Sequence, residues 1–416
     1  MSGPLADLRA IVLTQAWAGS FSTELLGLLG ADVIQIEARK RPDSWRAGYE
    51  SPMPVELRAV PSAHNAWNCS GLYNAVNLNK RAITLDLSQP DGLRLLRELI
   101  PLAGIVAENF TPRVMGNLGL DYDSLTALRP DLILLSLSAY GASGPWRDVP
   151  GIGGTIEPTS GMSALNGYGD GPPMNSGSML PDAVAGYYGL AALMTALHHR
   201  DVTGEGQYID LSMMEANFTA IGDASLEFAS TGRVRGRRGN RHPSHAPHGV
   251  YATLDGEWLA LAAEFDAQWL AICGTAGRDE WASDPRFTER EGRKTHEDEL
   301  DALIGTWLAG EKAAPLKGRL LAAGVPAAVV ADSHSVAQDP ALRAREVVVD
   351  VEHPEMGAWP HPGLPFRFES GPLSIERAAP TLGQHTSEVL GELLGIDEDE
   401  YARLVQEGIS GETPPD

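Results

Sequence analysis

The chain has 416 residues, and its 55 acidic residues against 32 lysines and arginines give a formal charge of −23. A hydrophobic content of 43% with 21% charged residues is typical of a folded globular protein and excludes a disordered one. The acidity counts against nucleic acid and anionic membrane surfaces as partners, because both require a basic face. The length predicts two or three domains.

Cysteine usage and the amino-terminal residues favour a cytoplasmic protein. Cys69 and Cys273 lie too far apart in sequence to form a metal-ligand cluster, and two thiols in so long a chain are typical of a reduced compartment. The first residues carry neither the basic region nor the apolar core of a secretion signal. The longest apolar segment, 183–197, is shorter than the ~20 residues that a membrane span needs.

Strand and helix patterns alternate through the first third of the chain. Strands are predicted over 8–13, 31–36, 82–87, 104–107 and 131–137, and helices over 20–29, 91–102 and 124–128. This alternation is typical of a doubly wound α/β domain with a mainly parallel sheet.

The remainder of the chain divides at a glycine-rich and an arginine-rich segment. Residues 141–189 are rich in glycine, and we predict a long irregular segment there, of the kind that often carries function. Residues 233–247 hold five arginines and two prolines and predict an exposed loop that opens a second domain. Further elements are predicted as helices at 183–199 and from 213, a strand at 207–211, a hairpin at 250–263, two helices within 300–322, a strand at 325–331, and helices at 387–394 and 401–406.

The opening strand–helix–strand pattern invites a nucleotide-binding interpretation, with Glu37 where an acid would bind a ribose. The intervening turn, 14–19, lacks the glycines that let a backbone approach a pyrophosphate, which disfavours NAD. Walker A and Gly-x-Ser-x-Gly motifs are also missing from the sequence, which disfavours P-loop ATP chemistry and the usual serine hydrolase.

His242, His245 and His248 recur at every third residue, which raises the question of a metal site. Pro243 and Pro247 prevent a regular helix from presenting the three rings together, and no cysteine lies nearby as a fourth ligand. We therefore predict no metal and place these histidines in a loop near a ligand or an interface.

Asp182 follows Pro181 at the start of an apolar helix, and two interpretations are open. It caps the helix amino terminus, which the residue types favour, or it is a nucleophile kept ionised by the positive helix end. Glu264 ends a predicted strand, and the sequence does not distinguish a cap of the next helix from a site carboxylate.

An ordered set of motifs across about four hundred residues resembles the family III CoA-transferases, the CaiB/BaiF group that includes formyl-CoA transferase. The matching segments are Pro4-Leu5 with Leu8-Arg9, Gly30 to Ile34, Asn79 to Arg81, Glu108 to Phe110, Gly151 to Gly161, Asp170 to Pro173, Thr203 to Gln207, Ala323 to Pro326 and Leu382 to Thr386. The resemblance implies a Rossmann-like large domain built from 1–228 and 331–416, a linker with a smaller α/β domain at 229–330, and two interlocked subunits.

The resemblance also assigns residues. Asp182 matches the catalytic aspartate of the family, which forms anhydride and aspartyl-CoA thioester intermediates. CoA is implied as a substrate rather than a tightly bound cofactor. The positions that match the family's CoA-binding residues are Trp17, Ala18, Ala38, Arg39, Asn109, Phe110, Thr111, Gly151 and Ile152. Many relatives carry an arginine at the position of Asn117, and Arg113 is expected to take its place here. The family's glycine-rich loop has no poly-glycine counterpart; Gly236 to Pro243 is its expected replacement, and the implied substrate residues are Gly239, Asn240, His248 and Glu264.

Two alternatives stay open beside CoA transfer to a small carboxylic acid. The same family includes 2-methylacyl-CoA racemases, but the histidine base of those enzymes is replaced by Ile152. The chain could instead be a non-catalytic CoA-binding subunit, although it retains Asp182. Trp17 and Met179 favour a bulky, apolar or dicarboxylic acceptor, and a homodimer or a heteromer with a paralogue is expected.

Overall fold

The computed structural model describes residues 3–46, 65–369 and 373–415. The chain forms two compact units. The first comprises Met1–Ser163, Asn175–Gly232 and Pro340–Asp416, and the second comprises Ala164–Met174 and Arg233–Asp339. The first unit is therefore built from both ends of the chain, and the second includes a short segment that precedes the arginine-rich loop.

The strands are, in chain order, β1 (Arg9–Leu13), β2 (Asp32–Glu37), β3 (Lys80–Thr84), β4 (Ile105–Glu108), β5 (Ile133–Ser138), β6 (Gln207–Ser212), β7 (His248–Ala252), β8 (Trp258–Ala262), β9 (Ala327–Val329), β10 (Val348–His353) and β11 (Gly357–Pro362).

The helices are, in chain order, α1 (Ala18–Leu28), α2 (Gly71–Asn74), α3 (Pro90–Leu99), α4 (Arg113–Asn117), α5 (Tyr122–Leu128), α6 (Gly153–Thr159), α7 (Met162–Leu165), α8 (Leu180–Thr203), α9 (Met213–Thr219), α10 (Gly222–Thr231), α11 (Asp266–Ala276), α12 (Asp279–Ser283), α13 (Arg290–Thr295), α14 (Glu297–Leu308), α15 (Ala313–Ala322), α16 (Ser333–Gln338), α17 (Pro340–Ala344), α18 (Thr386–Leu394) and α19 (Glu398–Gln406).

Six strands of the first unit form one sheet in the order β3-β2-β1-β4-β5-β6, and every neighbouring pair is parallel. This is the doubly wound order of the dinucleotide-binding fold, so the predicted α/β class with a mainly parallel sheet is confirmed. The order reverses between β1 and β4, and such a reversal opens a crevice at the carboxyl ends of the strands.

Both faces of this sheet are buried over β1 to β5, as is usual for a parallel sheet, whereas the edge strand β6 is partly exposed. Successive residues of β1 point to opposite faces, so Ile11 and Leu13 pack in one apolar cluster while Ala10 and Val12 pack in another. The first cluster draws on α3, α5, α18 and α19, and the second on α1 and α8. The helices thereby fix the strand ends that carry the crevice.

Several predicted boundaries were wrong, among them the start of β3 and the extent of the irregular glycine-rich segment. β3 starts at Lys80 rather than Ala82, because its first two charged residues are buried and paired: Lys80 donates to Asn77 Oδ1 at 2.8 Å, and Arg81 bonds Asp32 at 2.7 Å. The glycine-rich segment is also less irregular than predicted, since it contains α6, α7 and the first ten residues of α8.

The second unit has its own core beneath an antiparallel sheet of order β7-β8-β9. Trp269, Leu300, Leu316 and Leu320 are fully buried there and come from α11, α14 and α15. The predicted hairpin around Asp255 is confirmed as β7 and β8. Among the described residues of the whole chain, no helix combines the length and apolar character needed to cross a membrane.

Candidate active site

The crevice between β1 and β4 is bridged by one side chain. Asn109, the first residue after β4, accepts a hydrogen bond from the Gln15 backbone N–H at 2.8 Å and donates to the Gln15 carbonyl oxygen at 2.7 Å. A side chain at Gly19 would come within 2.9 Å of the Asn109 amide carbon, so the helix that follows β1 approaches Asn109 closely. The loops after the two strands are therefore held together.

Glu37 is not available to a ribose. Its carboxylate accepts hydrogen bonds from the Arg46 guanidinium at 2.9 and 2.8 Å, and both side chains are completely buried. The Arg46 charge holds the pKa of Glu37 below its ordinary value despite burial, which raises it. The turn without glycines and the pairing of Glu37 with Arg46 both disfavour a dinucleotide-binding site.

Asp182 lies in the first turn of α8, not at its cap. The N-cap is Met179, in the left-handed conformation at φ 48°, and Pro181 occupies the first turn, where proline is tolerated because its missing N–H would have no helical partner. The Asp182 backbone N–H donates to the Met179 carbonyl oxygen at 3.0 Å. The N-cap interpretation of Asp182 was therefore wrong.

The Asp182 carboxylate is poorly solvated. Its Oδ2 atom is buried and has no hydrogen-bond partner among the described residues. Burial raises the pKa of this carboxyl from its ordinary value of 3.8 to about 6, and hydrogen bonding from the Ala18 backbone N–H acts in the opposite direction. The predicted effect of the positive end of α8 is thus outweighed by burial, although a group with a pKa of about 6 is mainly ionised at pH 7.

Gly153 leaves the space that this carboxylate occupies. A Cβ atom built on Gly153 would lie 2.1 Å from Asp182 Oδ2, far inside any contact distance, whereas a Cβ on Gly154 would meet nothing within 4 Å. The amino-terminal residue of α6 and the first turn of α8 therefore meet at the carboxylate, and only a glycine fits at their meeting point.

A cavity of about 370 Å³ is lined by Asp182 and by six of the ten CoA residues that the resemblance assigns. Its lining includes Ala18, Asn109, Phe110, Thr111, Gly151, Ile152 and Asp182. Met179, which the sequence analysis named beside Trp17, also lines it, as do five residues that were not assigned to the site: Ser44, Trp45, Tyr140, Arg147 and Gly153. Arg147 is the only basic side chain among the described residues that line it. No histidine is among these lining residues.

An apolar cavity of about 590 Å³ lies beside it in the same unit. Trp17 lines this second cavity with Phe21 and Tyr187, while Trp45 and Met179 line both cavities. The rings of Trp17 and Trp45 are 5.6 Å apart. Trp17 is therefore placed next to the Asp182 cavity rather than in its lining.

Three of the assigned CoA residues lie outside the lining of both cavities. Ala38 and Arg39 follow β2, and the Arg39 guanidinium donates to the carbonyl oxygens of Ser410 at 2.8 Å, Thr413 at 2.7 Å and Pro414 at 3.1 Å. Arg113 is exposed at the start of α4 and lies 3.5 Å from the Asp148 carboxylate.

The assigned substrate residues belong to the second unit. Gly239, Asn240 and His248 line a cavity of about 740 Å³, and His248 Nδ1 lies 2.6 Å from the Asn240 carbonyl oxygen. Glu264 is exposed after β8 and does not line that cavity.

The three histidines of the second unit gather despite the prolines. The rings of His242 and His245 stack at 3.5 Å, and that of His248 lies 5.6 and 5.8 Å from them. Burial, and then the charge of a neighbouring histidine, lower the pKa values of His242 and His245. Among the described residues, no group of His, Cys, Asp and Glu side chains is arranged to hold a metal ion.

Residues 5–386 match the family model described as CoA-transferase family III. The succinyl-CoA–D-citramalate CoA-transferase of Chloroflexus aurantiacus is 33% identical over 401 residues, which cover 96% of each chain. The beta subunit of the succinyl-CoA–L-malate CoA-transferase of that organism is 31% identical over 404 residues, again 96% of each. A crystal structure of a CaiB/BaiF family protein from Brucella suis superposes with a TM-score of 0.85 at 29% identity, covering 94% of this chain and all of that one.

Proposed function

This chain belongs to CoA-transferase family III, and we propose that it transfers CoA from an acyl-CoA donor to a carboxylic acid through covalent intermediates on Asp182. The observation that carries the proposal is the environment of the Asp182 carboxylate. Asp182 lines the cavity, and its Oδ2 atom is buried without a hydrogen-bond partner among the described residues, so the lone pairs of that oxygen are not engaged elsewhere.

The proposed reaction begins when the Asp182 carboxylate attacks the thioester carbonyl carbon of the donor. The C–S bond breaks, CoA thiolate leaves, and the acyl group is held on Asp182 as a mixed anhydride. The thiolate then attacks the Asp182 carboxyl carbon, which releases the donor acid and leaves an aspartyl-CoA thioester. Each step conserves the single negative charge of the site.

The second half of the reaction repeats this sequence in reverse order. The acceptor carboxylate attacks the aspartyl thioester, CoA thiolate leaves again, and a mixed anhydride joins the acceptor to Asp182. Attack of the thiolate on the acceptor carbonyl then gives the new acyl-CoA and restores the carboxylate. Water would hydrolyse either anhydride, so the burial of Asp182 protects the intermediates.

The surrounding residues support this chemistry without an acid–base pair. The Ala18 N–H, at the amino end of α1, interacts with the Asp182 carboxylate, and such an N–H favours negative charge beside it. The racemase alternative needs a second base, and the corresponding Ile152 has no titratable group. The described lining of the cavity supports transfer over racemisation.

We further propose that Asn109, Phe110, Thr111 and Gly151, which line the cavity, contact the CoA portion of the thioester. The roles assigned to Trp17, Ala38, Arg39 and Arg113 for CoA, and to Gly239, Asn240, His248 and Glu264 for the acyl group, are proposed on the resemblance alone.

A short dicarboxylic acid is the proposed acceptor, with succinyl-CoA as the donor. Two relatives carry succinyl-CoA in their names, with D-citramalate and L-malate as the second substrates. Arg147 supplies a positive charge in the Asp182 cavity, and a guanidinium binds a second carboxylate well. Arg147→Gln should raise the KM for a dicarboxylate at least several-fold, but not that for octanoate, whereas Arg94→Gln, on the exposed face of α3, should change neither.

The assembly is proposed to be an interlocked homodimer. One relative is named as a beta subunit, so a heteromer with a paralogue is the competing arrangement. Purified protein expressed alone distinguishes them, because CoA exchange between labelled acids and acyl-CoA requires only this chain if the homodimer is complete.

Asp182→Asn and Asp182→Ala test the mechanism. Both variants should fold, bind CoA and show no exchange. Wild-type protein incubated with succinyl-CoA should carry an adduct on Asp182, which hydroxylamine converts to a hydroxamate and borohydride reduces. An active Asp182→Asn protein without conversion of the amide to the acid, detected by mass, would refute the covalent mechanism. A wild-type chain that binds CoA but exchanges nothing alone would favour the non-catalytic subunit.

A further inference from the structure

Asp43 is a buried carboxylate that takes no part in the proposed reaction. It lies between β2 and a short 3-10 helix, Ser44–Arg46, and its side chain is completely buried. Its Oδ1 atom accepts hydrogen bonds from the backbone N–H groups of Ala16 and Trp45, both at 2.9 Å. Its Oδ2 atom is buried without a hydrogen-bond partner among the described residues.

The first of these contacts holds a strained residue. Ala16 has φ 56°, in the left-handed region that a residue with a Cβ atom adopts only at a cost of about 1 kcal/mol or more. Such a conformation persists when its surroundings impose it. Asp43 bonds Ala16 from one side, while Asn109 bonds both backbone groups of Gln15 from the other.

The second contact reaches another wall of the same cavity. Trp45 and Ser44 line the Asp182 cavity, as do Ala16 and Ala18. The Asp43 carboxylate therefore joins two segments that line the Asp182 cavity, one at Ala16 and one at Trp45. The turn at Ala16 leads directly to Ala18, whose N–H interacts with Asp182.

Asp43 is itself fixed in place. Its backbone N–H donates to Glu37 Oε2 at 3.1 Å, and Glu37 is locked to the buried Arg46 guanidinium. The Arg46 guanidinium also lies 3.6 Å from the centre of the Tyr73 ring. The buried Glu37–Arg46 ion pair therefore holds Asp43 in place, and Asp43 in turn holds Ala16.

We infer that Asp43 is a positioning residue for CoA transfer: by holding Ala16 and Trp45 it sets the position of the Ala18 N–H, and through it the position of the Asp182 carboxylate. This inference rests on the proposed function of Asp182. It predicts that loss of the Asp43 contacts affects the chemical step more than substrate binding.

The matched control is Asn79, whose side-chain oxygen also accepts hydrogen bonds from two backbone N–H groups. Asn79 also has a positive φ, 59°, and its Oδ1 accepts the backbone N–H groups of Glu376 at 2.7 Å and Arg377 at 2.9 Å. It lies at the amino end of β3, and it is not among the residues that line the Asp182 cavity. Asn79→Ala therefore measures the effect of losing two buried hydrogen bonds from backbone N–H groups to a side chain at a distance from the candidate site.

The experiment compares Asp43→Ala, Asp43→Asn and Asn79→Ala in steady-state and single-turnover assays at a temperature where all are folded. Asp43→Ala should lower kcat roughly 10- to 100-fold with a smaller change in KM, since a displacement of about 1 Å costs up to 10²-fold. Asp43→Asn keeps the accepting oxygen and should retain most of the activity. Asn79→Ala should lower the melting temperature and leave kcat within two-fold.

A second readout is the pH dependence of adduct formation on Asp182. The Ala18 N–H lowers the pKa of that carboxyl, so a displaced Ala18 should move the acidic limb of the rate profile to higher pH in Asp43→Ala and not in Asn79→Ala. Arg147 and Tyr140 are the other titratable side chains that line the cavity and are unchanged in each variant. If Asp43→Ala does not fold, Asp43→Ser, whose shorter side chain cannot span both N–H groups, replaces it.

Asp43→Ala with a wild-type rate of adduct formation and an unmoved acidic limb would overturn the inference. A wild-type protein that forms no Asp182 adduct would instead refute the proposed function, so the two failures are distinguishable.

Discussion

Gly153→Ala is expected to disable the site with one methyl group. The added Cβ would lie 2.1 Å from Asp182 Oδ2, against 3.4 Å for the shortest ordinary contact, so the oxygen or the start of α6 must retreat by roughly 1 Å or more. A displacement of this size typically lowers a rate by about 10²-fold. We therefore expect kcat for CoA exchange to fall on the order of 100-fold, while overpacking destabilises the fold by about 1–3 kcal/mol.

Gly154→Ala is the matched control for this prediction. Gly154 is the next residue of α6, and its added Cβ would meet nothing within 4 Å. Replacement of a helical glycine by alanine then stabilises the protein by up to about 1 kcal/mol. The assay is CoA exchange between succinyl-CoA and a labelled acid, with thermal unfolding measured in parallel. Equal kcat values for the two variants, or a Gly153→Ala protein with a wild-type rate of adduct formation, would refute the reasoning.

Four further outcomes are expected. CoA should raise the melting temperature through binding to the native state, while NAD should not, which a thermal-shift titration checks. EDTA should leave exchange intact, and loss of activity restored by zinc would show that the three histidines bind a functional metal. Asn109→Ala should weaken CoA binding and lower kcat, because the Gln15 backbone loses two hydrogen bonds, as calorimetry and kinetics would show. Asp182→Asn should raise the melting temperature at pH 7 but not at pH 4.

β1, β4 and β5 were predictable because their residues are mainly apolar on both faces of the sheet. Ile11 and Leu13 face one apolar cluster and Ala10 and Val12 the other, so β1 is a continuous apolar run in the sequence. The start of β3 was missed because Lys80 is charged, and sequence patterns do not predict a charged residue in a buried strand. Its ammonium group is satisfied by Ser20 and Asn77, contacts that exist only in the folded chain.

The residue types of the candidate site could be proposed from the sequence, but its geometry could not. Resemblance pointed to Asp182, but no local signal predicts that α8 begins at Leu180 with Met179 as its N-cap in the left-handed conformation. Gly153 and Gly154 are equivalent in the sequence, and only the folded structure distinguishes them, by placing Asp182 and Met179 against Gly153. Asp43 lies in a polar stretch typical of a surface loop, and its burial depends on Glu37 and the residues packed around it.

Burial raises the pKa of Asp182, and the sign of its effect on stability follows from proton linkage. Its pKa is raised in the folded state, so between about pH 4 and pH 6 the native protein binds more protons than the unfolded chain, and stability falls as the pH rises through that window. The shift from 3.8 to about 6 corresponds to at most about 3 kcal/mol at neutral pH.

A helix cap would act in the opposite direction, since its loss to alanine destabilises a protein by about 1 kcal/mol. Removal of the Asp182 charge should therefore stabilise the fold while it abolishes transfer. A stabilised Asp182→Asn protein that transfers no CoA would therefore separate the proposed chemical role of the carboxylate from a capping role, because a cap and a buried nucleophile change stability in opposite directions.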